Sequence, residues 1–192
     1  MSNREILYES RLEWCFFMIL LASGHYRELL EQQRVEYFDE DGVGHYHWFD
    51  VVAVEHGGRR VAVDVKPLEF VESSGIERIQ CLIREQHGQS FASAYVVRTE
   101  MHTHPTDVAD ALTVLHVRGQ PDAVADAAMA HLARSLYGWT CVGDLVAASG
   151  MGAAAYNAIV RLIQAGTLFV YQGARISYSA YVSRLPEAAI AA

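Results

Sequence analysis

One aspartate, Asp50, precedes an Asp-x-Lys triplet, Asp64-Val65-Lys66, across two apolar runs separated by Glu55-His56-Gly57-Gly58-Arg59-Arg60. Two carboxylates are hard oxygen donors of the kind that Mg²⁺ or Mn²⁺ prefers, and they leave positions for water and a phosphate oxygen. Such a metal lowers the pKa of its water and offsets the charge that builds on phosphorus. A lysine beside it orients the water and stabilises the same transition state. The pattern D…(D/E)-x-K therefore fits metal-assisted phosphodiester cleavage. Charges planted among apolar strand residues are costly unless they are paired or bind a metal. The plainer alternative is a solvated ion pair of Asp64 and Lys66 on one strand face, with no function.

The elements that must carry these residues follow from periodicity. Residues 45–54 and 60–66 read as a β-hairpin closed by Pro67. Side chains i and i+2 share a strand face, so Asp64 and Lys66 project together. Placing Asp50 on that face as well requires an odd-length turn or a bulge at Gly58, because a plain two-residue Gly57-Gly58 turn would flip Asp50 to the other side. Around the hairpin, residues 5–23 read as a largely buried helix ended by Gly24, residues 33–38 as a strand, residues 73–87 as a helix with Ile76, Ile79, Leu82 and Ile83 inward, and residues 92–99 as a further strand. The sum is an α/β sandwich around a mixed sheet.

The chain has 192 residues, 52% of them apolar, enough for one ordinary domain or two small ones. Arg118-Gly119-Gln120-Pro121 marks the expected boundary, giving a first domain at 1–120 and a second at 121–192. Residues 1–120 hold 11 Lys/Arg against 19 Asp/Glu, and residues 121–192 hold four of each. Neither part is basic, so DNA affinity would have to come from local patches, bound metal or partner proteins. Three widely spaced cysteines, Cys15, Cys81 and Cys141, suggest a reducing compartment and no cysteine-based zinc site. The apolar run at residues 14–22 is too short to span a bilayer and lacks signal-peptide features, so the expected location is cytoplasmic.

After the boundary the pattern becomes helical: residues 122–136, 142–148 and 153–165, followed by short strands at 167–171 and 174–178 around Gln172-Gly173. Three helices and a small hairpin is the order of a winged helix-turn-helix module. Its third helix carries Asn157, Arg161 and Gln164, and Arg175 lies near the wing. One arginine on an alanine-rich helix is thin for reading bases, so groove binding, docking of a partner protein and a purely structural role all stay open.

Taken in order, these motifs resemble the TnsA family, the endonuclease subunit of heteromeric transposases, within the PD-(D/E)xK nuclease superfamily. The resemblance begins at Glu9-Ser10-Arg11-Leu12-Glu13, similar to that family's E-S-x-x-E opening of the first helix. It runs through Gln32-Gln33, an acidic glycine turn, and His45-Tyr46-His47-Trp48-Phe49-Asp50. It continues at Asp64-Val65-Lys66-Pro67 and at Val96-Val97-Arg98-Thr99-Glu100, and takes in the winged-helix-like tail. The resemblance implies a restriction-endonuclease-like core in which Glu13 joins Asp50, Asp64 and the main chain at Val65 around Mg²⁺ or Mn²⁺, with Lys66 as the fourth catalytic residue. Glu9, one helical turn earlier, is the alternative helix ligand. It also implies cleavage at the 5′ ends of a transposon, in company with an integrase-type transposase and an ATP-dependent regulator, in a bacterial cell and on its nucleoid. This chain departs from the family in having Asp64, with its shorter reach, where Glu or Gln is common, and Phe49 before Asp50.

Other candidates are weaker. His102, His104 and Asp107 have a spacing seen in metal sites but no second cluster to complete one, and a polar loop leading into a helix accounts for them. His45 and His47 alternate on the strand before Asp50, where they line a DNA channel or are simply half exposed. Ser10, Ser90 and Cys81 lack a nucleophile elbow, and no phosphate-binding glycine loop is present. The competing functions are a nuclease of restriction, repair or phage DNA processing, and a non-catalytic winged-helix protein with a degenerate nuclease-like domain.

Overall fold

The computed structural model describes residues 10–184. The chain divides into two compact units, Met1–His104 and Pro105–Ala192.

In the first unit, helix α1 (Arg11–Ser23) starts at Ser10, whose hydroxyl accepts the Glu13 N–H at 3.1 Å, and stops at Gly24 with φ 70°. The four strands β1 (Tyr26–Phe38), β2 (Gly44–Glu55), β3 (Arg60–Val65) and β4 (Ala94–Arg98) pair in that order. The first three are antiparallel neighbours and β4 runs parallel to β3. A parallel pair needs a crossover, and helices α2 (Leu68–Ser74) and α3 (Ile76–His87) supply it. The mixed α/β architecture expected from periodicity is present. Strand β1 is longer than expected: its first half is rich in Glu, Gln and Arg, with the adjacent Leu29 and Leu30 packed into opposite cores, so the run shows no plain apolar alternation.

The sheet is covered on both faces. Phe16, Phe17 and Leu20 of α1 pack with Val51, Val63 and Val65. Ile83 of α3 packs with Val35, Phe49, Val52 and Ala62 on the other side. Strict alternation would put Phe49 and Val51 on the same face, yet they sit in opposite cores. The break falls at Asp50, where the β1–β2 ladder skips a pair between Gln33↔Phe49 and Glu31↔Val51; a separate register shift lies at the start of β1, between Tyr26 and Glu28. The residue facing it, Gln32, has φ 49°. A local irregularity thus turns β2 over at the candidate residue.

The β2–β3 turn is odd in length, one of the two forms expected. Val51 pairs with Val63 and Val54 with Arg60. Glu55 N–H donates to Arg59 O and Gly58 N–H to Glu55 O, both at 2.9 Å, leaving His56-Gly57-Gly58 as the loop. Gly58 adopts φ 86°, the left-handed residue that this three-residue hairpin loop requires.

The second unit comprises α4 (Pro105–Arg118), α5 (Ala123–Arg134), β5 (Thr140–Cys141), α6 (Val142–Ser149), α7 (Ala153–Gln164), β6 (Phe169–Val170) and β7 (Tyr181–Ser183). Its core gathers Ala125, Met129, Val142, Ala158, Ile159, Leu168 and Val182. Residues 118–121, expected as the boundary, are a turn inside this unit, since α4 packs on α7. The three expected helices are present, but the hairpin is different. The three-stranded sheet has the order β5-β7-β6, with β7 at Tyr181–Ser183 in place of a strand at 174–178. That segment spends its backbone groups elsewhere: Ile176 N–H donates to Asp110 at 2.9 Å, and Tyr178 O accepts the Gly143 N–H at 2.7 Å.

Candidate active site

The β2–β3 ladder closes with Val51 and Val63, one pair before Asp50 and Asp64. Beyond it the two strands are joined by a side chain: Asp50 Oδ2 accepts the Val65 N–H at 2.7 Å. Val65 therefore enters the cluster through its N–H. The odd register of the ladder is as expected, but Asp50 and Asp64 lie beyond its last pair, and the Asp50 carboxylate reaches the Val65 N–H where β2 departs from simple alternation.

Burial pushes the Asp50 carboxyl up to about 6, and the negative charges of Glu13 and Asp64 push the same way. The Val65 N–H and the Lys66 ammonium act against them. Four of the residues singled out in the sequence therefore act on one carboxyl from two elements: Glu13 from the first turn of α1, and Asp64 and Val65 from β3, with Lys66 just past its end. Glu13 is also held by Ser10, whose hydroxyl donates to Oε1 at 2.8 Å. Glu9 lies outside the described residues.

Asp64 is only 3% exposed and accepts from two side chains. His47 Nε2 lies 2.9 Å from Oδ1 and 3.1 Å from Oδ2. Gln80 Nε2 donates to Oδ2 at 2.7 Å and to the Val96 carbonyl at 3.1 Å. Neither partner was assigned this role from sequence. His47 left a signal, its alternation with Phe49 on the strand before Asp50. Gln80 left one too: a glutamine one turn after Ile76 and one residue from Ile79, on the apolar stripe of α3, where a polar group must find a bond.

No protein-family model matches the chain, and no curated protein matches it. The site stands on its own geometry.

Among the described residues, no three His, Cys, Asp or Glu side chains converge closely enough to hold a metal by themselves. The carboxylates gathered here are Asp50, Asp64 and Glu13, while the Val65 N–H is spent on Asp50. Mg²⁺ commonly takes one or two carboxylates and completes its shell with water and substrate phosphate, so this donor set suits it in chemistry.

The other sequence candidates have structural employment. His102 Nδ1 accepts the Thr99 N–H at 3.1 Å in a capping box, and the loop then enters α4 with Asp107 in its first turn. His45 bonds Asp39 at 2.8 Å and stacks on Tyr37. The three cysteines are free.

In the second unit Arg161, read as a DNA or partner contact, is held within the unit. Its guanidinium bonds Asp126 at 2.8 Å and the Gln120 carbonyl at 2.9 Å, tying α7 to α5 and to the end of α4. Helix α7 is the hub of the unit, touching α4, α5 and α6 and burying Ala155, Ala158, Ile159 and Val160. A helix so enclosed has little free face for a groove. Asn157 is half-buried and Arg175 is exposed.

Proposed function

We propose that the first unit is a metal-dependent DNA endonuclease site of the TnsA kind, with Asp50, Asp64 and Glu13 as the carboxylates and Lys66 as the cation. The observation that supports this best is the Asp50–Val65 bond, which seats Asp50 at the head of the Asp64-Val65-Lys66 triplet with Glu13 within electrostatic reach. Mutually repelling carboxylates around a buried acid are a standing demand for a cation. When Mg²⁺ or Mn²⁺ is bound, it supplies an activated water and charge neutralisation at phosphorus. Asp50 and Asp64 would hold it, with Glu13 and the Val65 main chain beside them. Lys66 places its charge against the phosphate and its attacking water.

The DNA task proposed is cutting at the 5′ ends of a transposon, with an integrase-type transposase and an ATP-dependent regulator as partners. The net charge of −8 supports a nuclease that depends on partners to meet DNA. No helix among the described residues is long and apolar enough to cross a membrane, and with three free cysteines a cytoplasmic location fits the reading. The second unit is read as winged-helix-like and as a docking module for those partners, since Arg161 is spent internally.

A second reading has its own support. Asp64 already holds two donors, and among the described residues no three ligands converge, as in a degenerate, non-catalytic nuclease fold. Strand-specific cleavage of a transposon-end duplex with the partner transposase and Mg²⁺ separates the two. The nuclease reading expects 5′-strand cuts by the wild type and their loss in Lys66→Ala. Identical products from both proteins would overturn it.

A further inference from the structure

Asp64 is gripped from two elements at once, and the grip is directional. Gln80 Nε2 bridges Asp64 Oδ2 at 2.7 Å and the Val96 carbonyl at 3.1 Å, so both amide hydrogens are used and the amide is fixed in orientation. Gln80 is 6% exposed. His47 approaches from β2 with Nε2 2.9 Å from Oδ1, and its ring stands edge-on to Phe49 with centroids 4.7 Å apart. Phe49 is itself fully buried, so the imidazole rests on a rigid floor. A carboxylate accepts about four hydrogen bonds or metal contacts. Oδ2 takes Gln80 and the longer His47 contact, and Oδ1 takes one donor. Oδ1 is thus the oxygen with the greater remaining capacity.

We propose that His47 and Gln80 are positioning residues that lock the Asp64 carboxylate and leave Oδ1 to face a divalent cation. This rests on the metal-site reading of Asp50 and Asp64. A lone buried aspartate on a strand end has two side-chain torsions to settle. Two donors from β2 and α3 settle both, and such outer partners of metal-binding carboxylates typically change metal affinity by about 10–100-fold when removed.

The test is calorimetric Mn²⁺ titration of the full chain, with thermal melting alongside. His47→Ala and Gln80→Met are each expected to weaken Mn²⁺ binding about 10–100-fold. His47→Gln, which keeps an N–H donor, recovers most of the affinity. His45→Ala removes a comparable His–Asp contact outside the site and leaves Mn²⁺ binding unchanged. If one variant fails to fold, the other carries the test. Wild-type binding that persists within twofold in both His47→Ala and Gln80→Met overturns the positioning role while sparing the metal site. Absence of Mn²⁺ binding by the wild type overturns both.

Discussion

The Asp50 carboxylate accepts the Val65 N–H at 2.7 Å at the point where the β2–β3 ladder, last paired at Val51 and Val63, has ended. A side chain takes over a main-chain donor that would otherwise lose its partner. The same bond carries a buried acid to the triplet whose lysine it needs.

That burial has a pH signature. The folded-state pKa of Asp50, about 6, lies above its ordinary value of 3.8. The folded chain therefore holds this proton more tightly, so the contribution to stability is complete below pH 4 and lost as pH rises through 6. Asp50→Asn keeps an acceptor for Val65 and removes the charge. Urea denaturation is expected to find the variant close to wild type at pH 4 and more stable at pH 7, by on the order of 1–2 kcal/mol after solvent screening. A difference that does not change with pH would contradict this.

The hairpin turn offers a purely conformational test. Gly58 sits at φ 86° with open space where a Cβ would go, and Gly57 has open space without the positive φ. Gly58→Ala should cost about 1–2 kcal/mol from backbone strain alone, and Gly57→Ala should stay within about 0.5 kcal/mol of wild type. Equal losses in thermal or chemical denaturation would mean that the turn is not the odd loop described.

Arg161 and Arg175 should separate cleanly. Arg161→Ala breaks charge-assisted bonds to Asp126 and to carbonyls of the α4–α5 turn. A loss of about 2–3 kcal/mol in the second unit's stability is expected. Arg175→Ala, at an exposed position, should change stability by less than about 0.5 kcal/mol. If only Arg175→Ala also weakens partner retention in a pull-down with the transposase, the docking role of this unit gains its first contact residue. Unchanged stability in Arg161→Ala would refute the internal role.

What was legible in the sequence depended on local patterning. The helices α1, α3, α5, α6 and α7 followed from apolar spacing and glycine stops, and parity narrowed the turn to an odd loop or a bulge. The first half of β1 did not, because its only aliphatic residues, the adjacent Leu29 and Leu30, serve opposite faces among charged neighbours and leave no alternation to read. The strand at 174–178 was misplaced because its backbone groups go to Asp110 and Gly143, partners distant in sequence. At the site, Asp50 and the triplet announced themselves as charges among valines. The hold of His47 and Gln80 on Asp64 is tertiary, made across 17 and 16 residues of chain, and no spacing rule reaches it. Sequence likewise left three roles open for Arg161, because its bond to Asp126 is made across 35 residues of chain.

The central claim is that Asp50 and its neighbours form a divalent-cation site. Calorimetric titration of the full chain with Mn²⁺ at pH 7.5, wild type against Asp50→Ala, tests it most directly. Saturable binding by the wild type, weakened at least about 100-fold in Asp50→Ala, is the expected result. No binding by the wild type, or equal binding by both proteins, would contradict the account.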